Sequence, residues 1–213
     1  MTGPTKVKIC GITNAEDAAV AVAAGADALG FNFYRKSPRY IEPAVARQIV
    51  ASLPPFITSV GVFVNEELTT VRSIMDACGL GLAQLHGDEP PNYCQELSRP
   101  VLKALRLKDR GSFLALAEFE GRAGVRGFIV DTFSETTYGG TGQVTDWALA
   151  AEAAKAAPIL LAGGLTPANV AEAIRAVRPY GVDVSSGIES VPGKKDHRKV
   201  RDFLGAVRVV SSV

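Results

Sequence analysis

The 213-residue sequence is poor in several things that would point elsewhere. It has three cysteines, Cys10, Cys78 and Cys94, an odd and sparse set that makes no disulfide framework. It has two histidines, His86 and His197, and no Cys-x-x-Cys or His-x-x-x-His spacing, so no metal site is expected. No apolar run is long enough to span a bilayer. The opening MTGPTKVKIC lacks the apolar core of a signal peptide, so a cytoplasmic location is expected. Charge of one sign is missing as well. Twenty-three basic and 22 acidic residues leave a net charge of +1, without the basic excess of a nucleic-acid-binding protein. A small anionic ligand stays compatible with that balance, since a few local cations suffice. Linkers and low-complexity tracts are also absent. At this length about 70% of the unfolded chain's surface can be buried, so a single domain over residues 1–213 is feasible.

What is present is alternation. Eight β-rich runs (KVKIC, ALGFNF, TSVGVFV, LAQLHG, VLKALRL, RGFIVDT, ILLAGG and GVDVSS) alternate with alanine-rich amphipathic stretches such as AEDAAVAVAAGA and TPANVAEAIRAVRP. Several helix starts carry caps: Thr13 or Asn14 precedes Glu16-Asp17, and Thr166-Pro167 puts proline near a first helical position. Strict strand–helix alternation predicts parallel strands joined by crossovers. Eight units average about 27 residues, near the minimum for a βαβ unit. The economical closure is a (β/α)₈ TIM barrel. An open doubly wound sheet is the competing arrangement, but CGITNAED after the first strand lacks the spaced glycines of a dinucleotide site.

Closure explains the first strand. In KVKIC, Lys6, Lys8 and Cys10 share one face, and Val7 and Ile9 the other. The aliphatic face suits the helices and the polar face suits the barrel interior. Inward charge needs a partner. The eighth strand neighbours the first after closure and carries Asp183 and Ser185 on one face, so Lys8 is expected to pair with Asp183.

Chemistry in such a barrel belongs at the C-terminal strand ends. These hold Cys10, Asn32 to Tyr34, His86, Arg106, Asp131, Gly163-Gly164 and Ser185-Ser186-Gly187. Cys10 and Asp131 are the two groups that exchange protons readily. A lone thiol at a strand end is commonly a small hydrophobe, which is how Cys78 and Cys94 read, and a lone Asp is commonly a turn residue. Together at one barrel mouth they suit a general acid and a general base. The glycines and serines after strands seven and eight, with a short helix N-terminus after Gly187, suit a phosphate. The stretch 131–147, with Tyr138 among glycines, reads as a lid loop. Arg35, Lys36 and Arg39 follow strand two. One arginine there suits a bidentate carboxylate contact, against the blander reading of a solvated basic loop.

The blocks KICGIT, GFNFYRKSPRYI, VGVFVNE, QLHGDE, YGGTGQVTDW, LAGGLTPANV and VDVSSGIES, with PGKKDH, occur in this order from Lys8 to His197. In that order they resemble the phosphoribosylanthranilate isomerase family. The resemblance implies a TIM barrel of tryptophan biosynthesis that carries out an Amadori rearrangement of a phosphosugar without a cofactor. By motif position it implies Cys10 as general base and Asp131 as general acid. It implies Arg39 for the substrate carboxylate, and Gly163, Gly164, Ser185, Ser186 and Gly187 for the phosphate. His86 takes an accessory place beside the substrate, and Asp183, on the strand that leads to Ser185, is counted among the substrate-binding residues. For the chemistry, Cys10 has to be held as thiolate, with Lys8 as the cation that favours it. The residues alone leave open a sister phosphosugar isomerase or synthase, or a phosphate-binding barrel without catalysis. They also leave open monomer or homodimer.

Overall fold

The computed structural model describes residues 3–107, 109, 111–119, 121–122, 124–132 and 146–211. Eight strands carry the fold: β1 (Lys6–Cys10), β2 (Ala28–Asn32), β3 (Thr58–Phe63), β4 (Leu82–Leu85), β5 (Val101–Leu107), β6 (Val125–Thr132), β7 (Ile159–Leu161) and β8 (Gly181–Val184). They are hydrogen-bonded in sequence order, and β8 pairs in parallel with β1, so the sheet closes into a barrel. The helices between them are α1 (Ala15–Ala24), α2 (Pro43–Ala51), α3 (Leu68–Cys78), α4 (Pro91–Leu97), α5 (Ser112–Phe119), α6 (Trp147–Ala156) and α7 (Val170–Val177), with α8 (His197–Ser211) last. Every sequence-predicted strand is therefore present. No described helix is long and apolar enough to cross a membrane.

Local chemistry explains several boundaries. Asn14 caps α1 by accepting from the Asp17 N–H, and Gly25 ends it in the left-handed region. Asp146 caps α6 through the amides of Ala148 and Leu149. Pro167 sits further from its helix than the sequence suggests. It lies in a turn before α7, which Asn169 organises by accepting from the Thr166 N–H and donating to the Gly164 carbonyl. The expected helix after Gly187 is a single 3₁₀ turn, Ser186–Ile188, with Gly187 inside it. A small antiparallel hairpin follows, β9 (Glu189–Val191) with β10 (Lys194–Lys195), before α8. The closing VRVVSSV belongs to α8 through Ser211.

Burial splits the core in two, as strand alternation demands. Val7, Ile9, Leu29, Phe31 and Ile159 join the helices in one large cluster outside the barrel. Leu102, Ala104, Ile129, Leu160 and Ala162 fill the interior as a second cluster. Cys78 and Cys94 are buried in the outer cluster as small hydrophobes. Beside the inner cluster, Lys8 is 1% exposed, and its Nζ lies 2.8 Å from Asp183 Oδ1. The two residues are also register partners across the closing seam. The polar face of β1 thus has the partner its sequence requires. At the strand's start Lys6 reaches the interior's wet edge and pairs with Asp27 at 2.8 Å.

Candidate active site

A cavity of about 230 Å³ opens at the C-terminal ends of the strands. Cys10, Arg39, His86, Asp131, Gly163, Gly164, Asp183, Ser185, Ser186 and Gly187 all line it. The parity of each strand brings them there. Two residues beyond the interior's Ile129 comes Asp131, and two beyond Lys8 comes Cys10. Arg106, register partner of Asp131, does not line the cavity; its guanidinium pairs with Asp88.

Cys10 faces Gly30 across the β1–β2 pairing. A Cβ at Gly30 would sit 2.8 Å from the Cys10 sulfur and 3.1 Å from Lys8 Nζ, so the missing side chain is the space those two groups share. Burial pushes the Cys10 thiol above its ordinary value, and the charge and hydrogen bond of Lys8 oppose that push. The sequence expectation that Lys8 favours the thiolate therefore holds in sign, but desolvation is the larger effect and the net shift is upward. Burial is the largest single effect on Lys8 and acts to lower it, but the charges and hydrogen bonds of Asp183 and Cys10 together outweigh it, so Lys8 is held above the usual lysine value.

Across the mouth, His86 Nε2 lies 3.4 Å from Asp131 Oδ2. The other ring nitrogen meets Gln84 Nε2 at 2.6 Å. An amide N–H donated to Nδ1 would leave Nε2, the nitrogen facing Asp131, as the ring's donor position. Gln84 was not singled out by the sequence; its place two residues before His86 on one strand face was the available signal.

The phosphate-type turns lie side by side. Gly187 approaches the backbone so closely that a Cβ would fall 1.8 Å from the Leu165 carbonyl oxygen, which joins the turns after β7 and β8. Ser185 Oγ is buried and has no hydrogen-bond partner among the described residues. An unpartnered donor in a pocket wall is a costly feature unless a ligand completes it.

The basic loop after β2 is rigidly built. Asn32 accepts from the Tyr34 amide and donates to Ser37 Oγ, which also accepts from the Arg39 amide, and the chain returns to β2 through Ile41. Arg35 stacks over the Tyr40 ring, 5.3 Å from its centroid. Arg39 points into the cavity. Its Nε and Nη2 donate to Glu189 at 2.9 and 2.8 Å. Glu189 and Lys195 are site neighbours that the sequence analysis missed, because the hairpin carrying them is brought in only by the fold. The lid reading for the stretch 131–147, including Tyr138, falls largely outside the described residues.

Comparison with known proteins matches this geometry to one family. The sequence model of PRAI, N-(5'phosphoribosyl)anthranilate (PRA) isomerase, matches residues 7–206. The N-(5'-phosphoribosyl)anthranilate isomerase of Pelobacter propionicus is 52% identical over 199 residues, covering 93% of each chain. That of Geotalea uraniireducens is 54% identical over 200 residues, covering 94% of this chain and 97% of the relative. The crystal structure of phosphoribosyl anthranilate isomerase from Thermotoga maritima superposes with a TM-score of 0.88 at 40% identity, over 96% of this chain and 99% of that one. Another crystal structure of the enzyme, in complex with reduced 1-(o-carboxyphenylamino)-1-deoxyribulose 5-phosphate, has a TM-score of 0.86 at 40% identity, over 96% of this chain and 99% of that one. A barrel closed by eight strands in sequence order, with a thiol, a carboxyl and glycine-serine turns at one mouth, thus meets nearly full-length sequence likeness, and the chain belongs to the N-(5'-phosphoribosyl)anthranilate isomerase family.

Proposed function

We propose that the chain converts N-(5-phosphoribosyl)anthranilate into 1-(2-carboxyphenylamino)-1-deoxyribulose 5-phosphate, the Amadori step of tryptophan biosynthesis, by general acid and base catalysis in the cytoplasm. The observation that carries this reading is that Cys10 and Asp131 line one cavity together with Arg39 and the Ser185–Gly187 turn. Asp131, protonated, donates to the furanose ring oxygen. The C1–O bond breaks, and the nitrogen lone pair forms the iminium. Cys10, as thiolate, removes the proton from C2, and those electrons neutralise the iminium to an enolamine. Protonation at C1 and loss of the enol proton give the ketone. C2 is oxidised to the ketone as C1 is reduced, so the redox change is internal with no net exchange of electrons, and the chemistry requires no cofactor. Each positioned proton transfer contributes about 10²–10⁴-fold.

The remaining groups have binding work. The turns bearing Gly163, Gly164, Ser185, Ser186 and Gly187 take the phosphate, with the buried Ser185 hydroxyl as one donor. Arg39 takes the anthranilate carboxylate. His86 supports Asp131, and Asp183 holds Lys8 beside Cys10. The partner is a small phosphosugar; the near-neutral chain has no surplus of basic charge for nucleic acid.

The test is fluorescence turnover of phosphoribosylanthranilate by wild type, Cys10→Ser and Asp131→Asn. Losses of about 10²-fold or more in kcat for both variants, with substrate binding retained, are expected. Full activity in either variant overturns the assignment of its residue, and a phosphate-binding barrel without catalysis predicts no turnover by wild type.

A further inference from the structure

Arg39 is not a free guanidinium at the edge of a cavity. Glu189 holds it along the Nε–Nη2 edge by two hydrogen bonds, at 2.9 and 2.8 Å. Beneath that fork lies Lys195, 2% exposed, whose ammonium donates to Glu189 Oε1 at 2.9 Å and to the Cys10 carbonyl at 2.7 Å. Burial pushes Glu189 up, but the Arg39 hydrogen bonds and the Lys195 charge outweigh it, so the carboxylate titrates below its usual range and stays ionised at neutral pH. The hairpin bearing both residues is itself pinned. Thr13 donates to the Gly193 carbonyl at 2.6 Å, and the Lys195 amide donates to Asp17 at 2.9 Å.

Two consequences follow from charge and geometry. The two cations and one anion leave one net positive charge, which matches one substrate carboxylate. A guanidinium has five N–H donors in a planar fork. Glu189 occupies the Nε–H and one Nη2–H, leaving the outer Nη1–Nη2 edge as the remaining bidentate face. A carboxylate bound there has a fixed direction and plane, which an unrestrained arginine would not impose.

We propose that Glu189, braced by Lys195, is a specificity-determining positioning residue: it turns the outer edge of Arg39 to the substrate's aromatic carboxylate and sets the preference for a carboxylated arylamine. The inference rests on the reading of Arg39 as the carboxylate-binding residue. Glu189 does not itself touch the substrate. Its effect is read as discrimination between two substrates that differ only in the group Arg39 binds.

The experiment compares kcat/KM for phosphoribosylanthranilate and for its aniline counterpart, which lacks the carboxyl, in wild type, Glu189→Gln, Glu189→Asp and Arg39→Ala. Product from both substrates is followed by chromatography, and thermal melts establish that each variant is folded. Glu189→Gln removes the charge and sets an amide N–H against a guanidinium N–H. It is expected to lower the ratio of the two kcat/KM values about tenfold, mainly through KM for the carboxylated substrate. Glu189→Asp, with the charge kept but withdrawn, is expected to fall between wild type and Glu189→Gln, and it serves the same comparison should Glu189→Gln not fold. An unchanged ratio in Glu189→Gln while Arg39→Ala lowers it overturns the role of Glu189 alone. An unchanged ratio in Arg39→Ala overturns the carboxylate reading and the inference with it.

Discussion

Removing Asp183 is the sharpest perturbation of the barrel interior. The residue is 8% exposed, and its carboxylate sits 2.8 Å from the ammonium of Lys8, itself 1% exposed. Lys8 is held above the ordinary lysine value: desolvation would lower it, but the charges and hydrogen bonds of Asp183 and Cys10 together outweigh that effect. A lysine raised in the folded state contributes stability that is complete below its unfolded value and is lost only as pH climbs through the folded one. At pH 7 the pair is therefore intact. Asp183→Ala leaves an ammonium uncompensated in the barrel, and breaking a buried pair in this way costs about 3–5 kcal/mol. For a chain of this size each kcal/mol moves the midpoint by about 2–4 °C, so a drop of roughly 6–20 °C is expected. The double variant Lys8→Met with Asp183→Leu replaces the pair by apolar groups of similar size. It is expected to recover that loss or exceed wild type by about 1–4 kcal/mol. Urea unfolding followed by circular dichroism, applied to wild type, Lys8→Met, Asp183→Leu and the double variant, supplies the four free energies of the cycle. A loss below about 1 kcal/mol for Asp183→Ala, or a double variant as unstable as the two singles summed, would refute the claim that this pair is an interior, desolvated one.

The pH profile follows from the same strand. With burial holding the Cys10 thiol above its ordinary value, the thiolate fraction is small at pH 7 and grows with pH, so kcat/KM is expected to climb through neutrality and beyond pH 8. Lys8→Met removes the opposing charge and is expected to push that limb further alkaline; a profile flat above pH 7 in wild type counts against Cys10 as the base. Gly187→Ala would force a methyl group to 1.8 Å from the Leu165 carbonyl, separating the turns after β7 and β8. A rise in KM of about tenfold or more is expected, with inhibition by inorganic phosphate weakened in parallel; unchanged phosphate inhibition would remove this turn from the phosphate site.

Several features were open to a reader of the residues alone. Eight strands follow from alternation with a period of two between helical stretches, and the closed barrel follows from their number and spacing. The Lys8–Asp183 pair follows because closure makes the first and last strands neighbours, and a lysine facing inward has to find a carboxylate there. The meeting of Cys10 and Asp131 at one cavity follows from strand ends, since parity and parallel direction send both to one mouth. That Arg39 rather than Arg35 is the arginine to look for at the cavity is reachable through family resemblance, whereas the stacking of Arg35 on Tyr40 is not.

Long-range placement decided the rest. Glu189 and Lys195 lie 150 and 156 residues beyond Arg39, on a hairpin whose position depends on Thr13, Asp17 and the turn around Gly187. No local pattern in ESVPGKK points to an arginine so distant, because a salt bridge of this kind is a property of folded distance. The balance at Cys10 is similar. The sequence places a cation near the thiol, yet whether attraction or desolvation prevails depends on how much water the closed barrel excludes. Periodicity and direction of strands are written along the chain and are legible there. Burial, and with it the strength and sign of each charge's effect, arises only when eight strands close around a common interior.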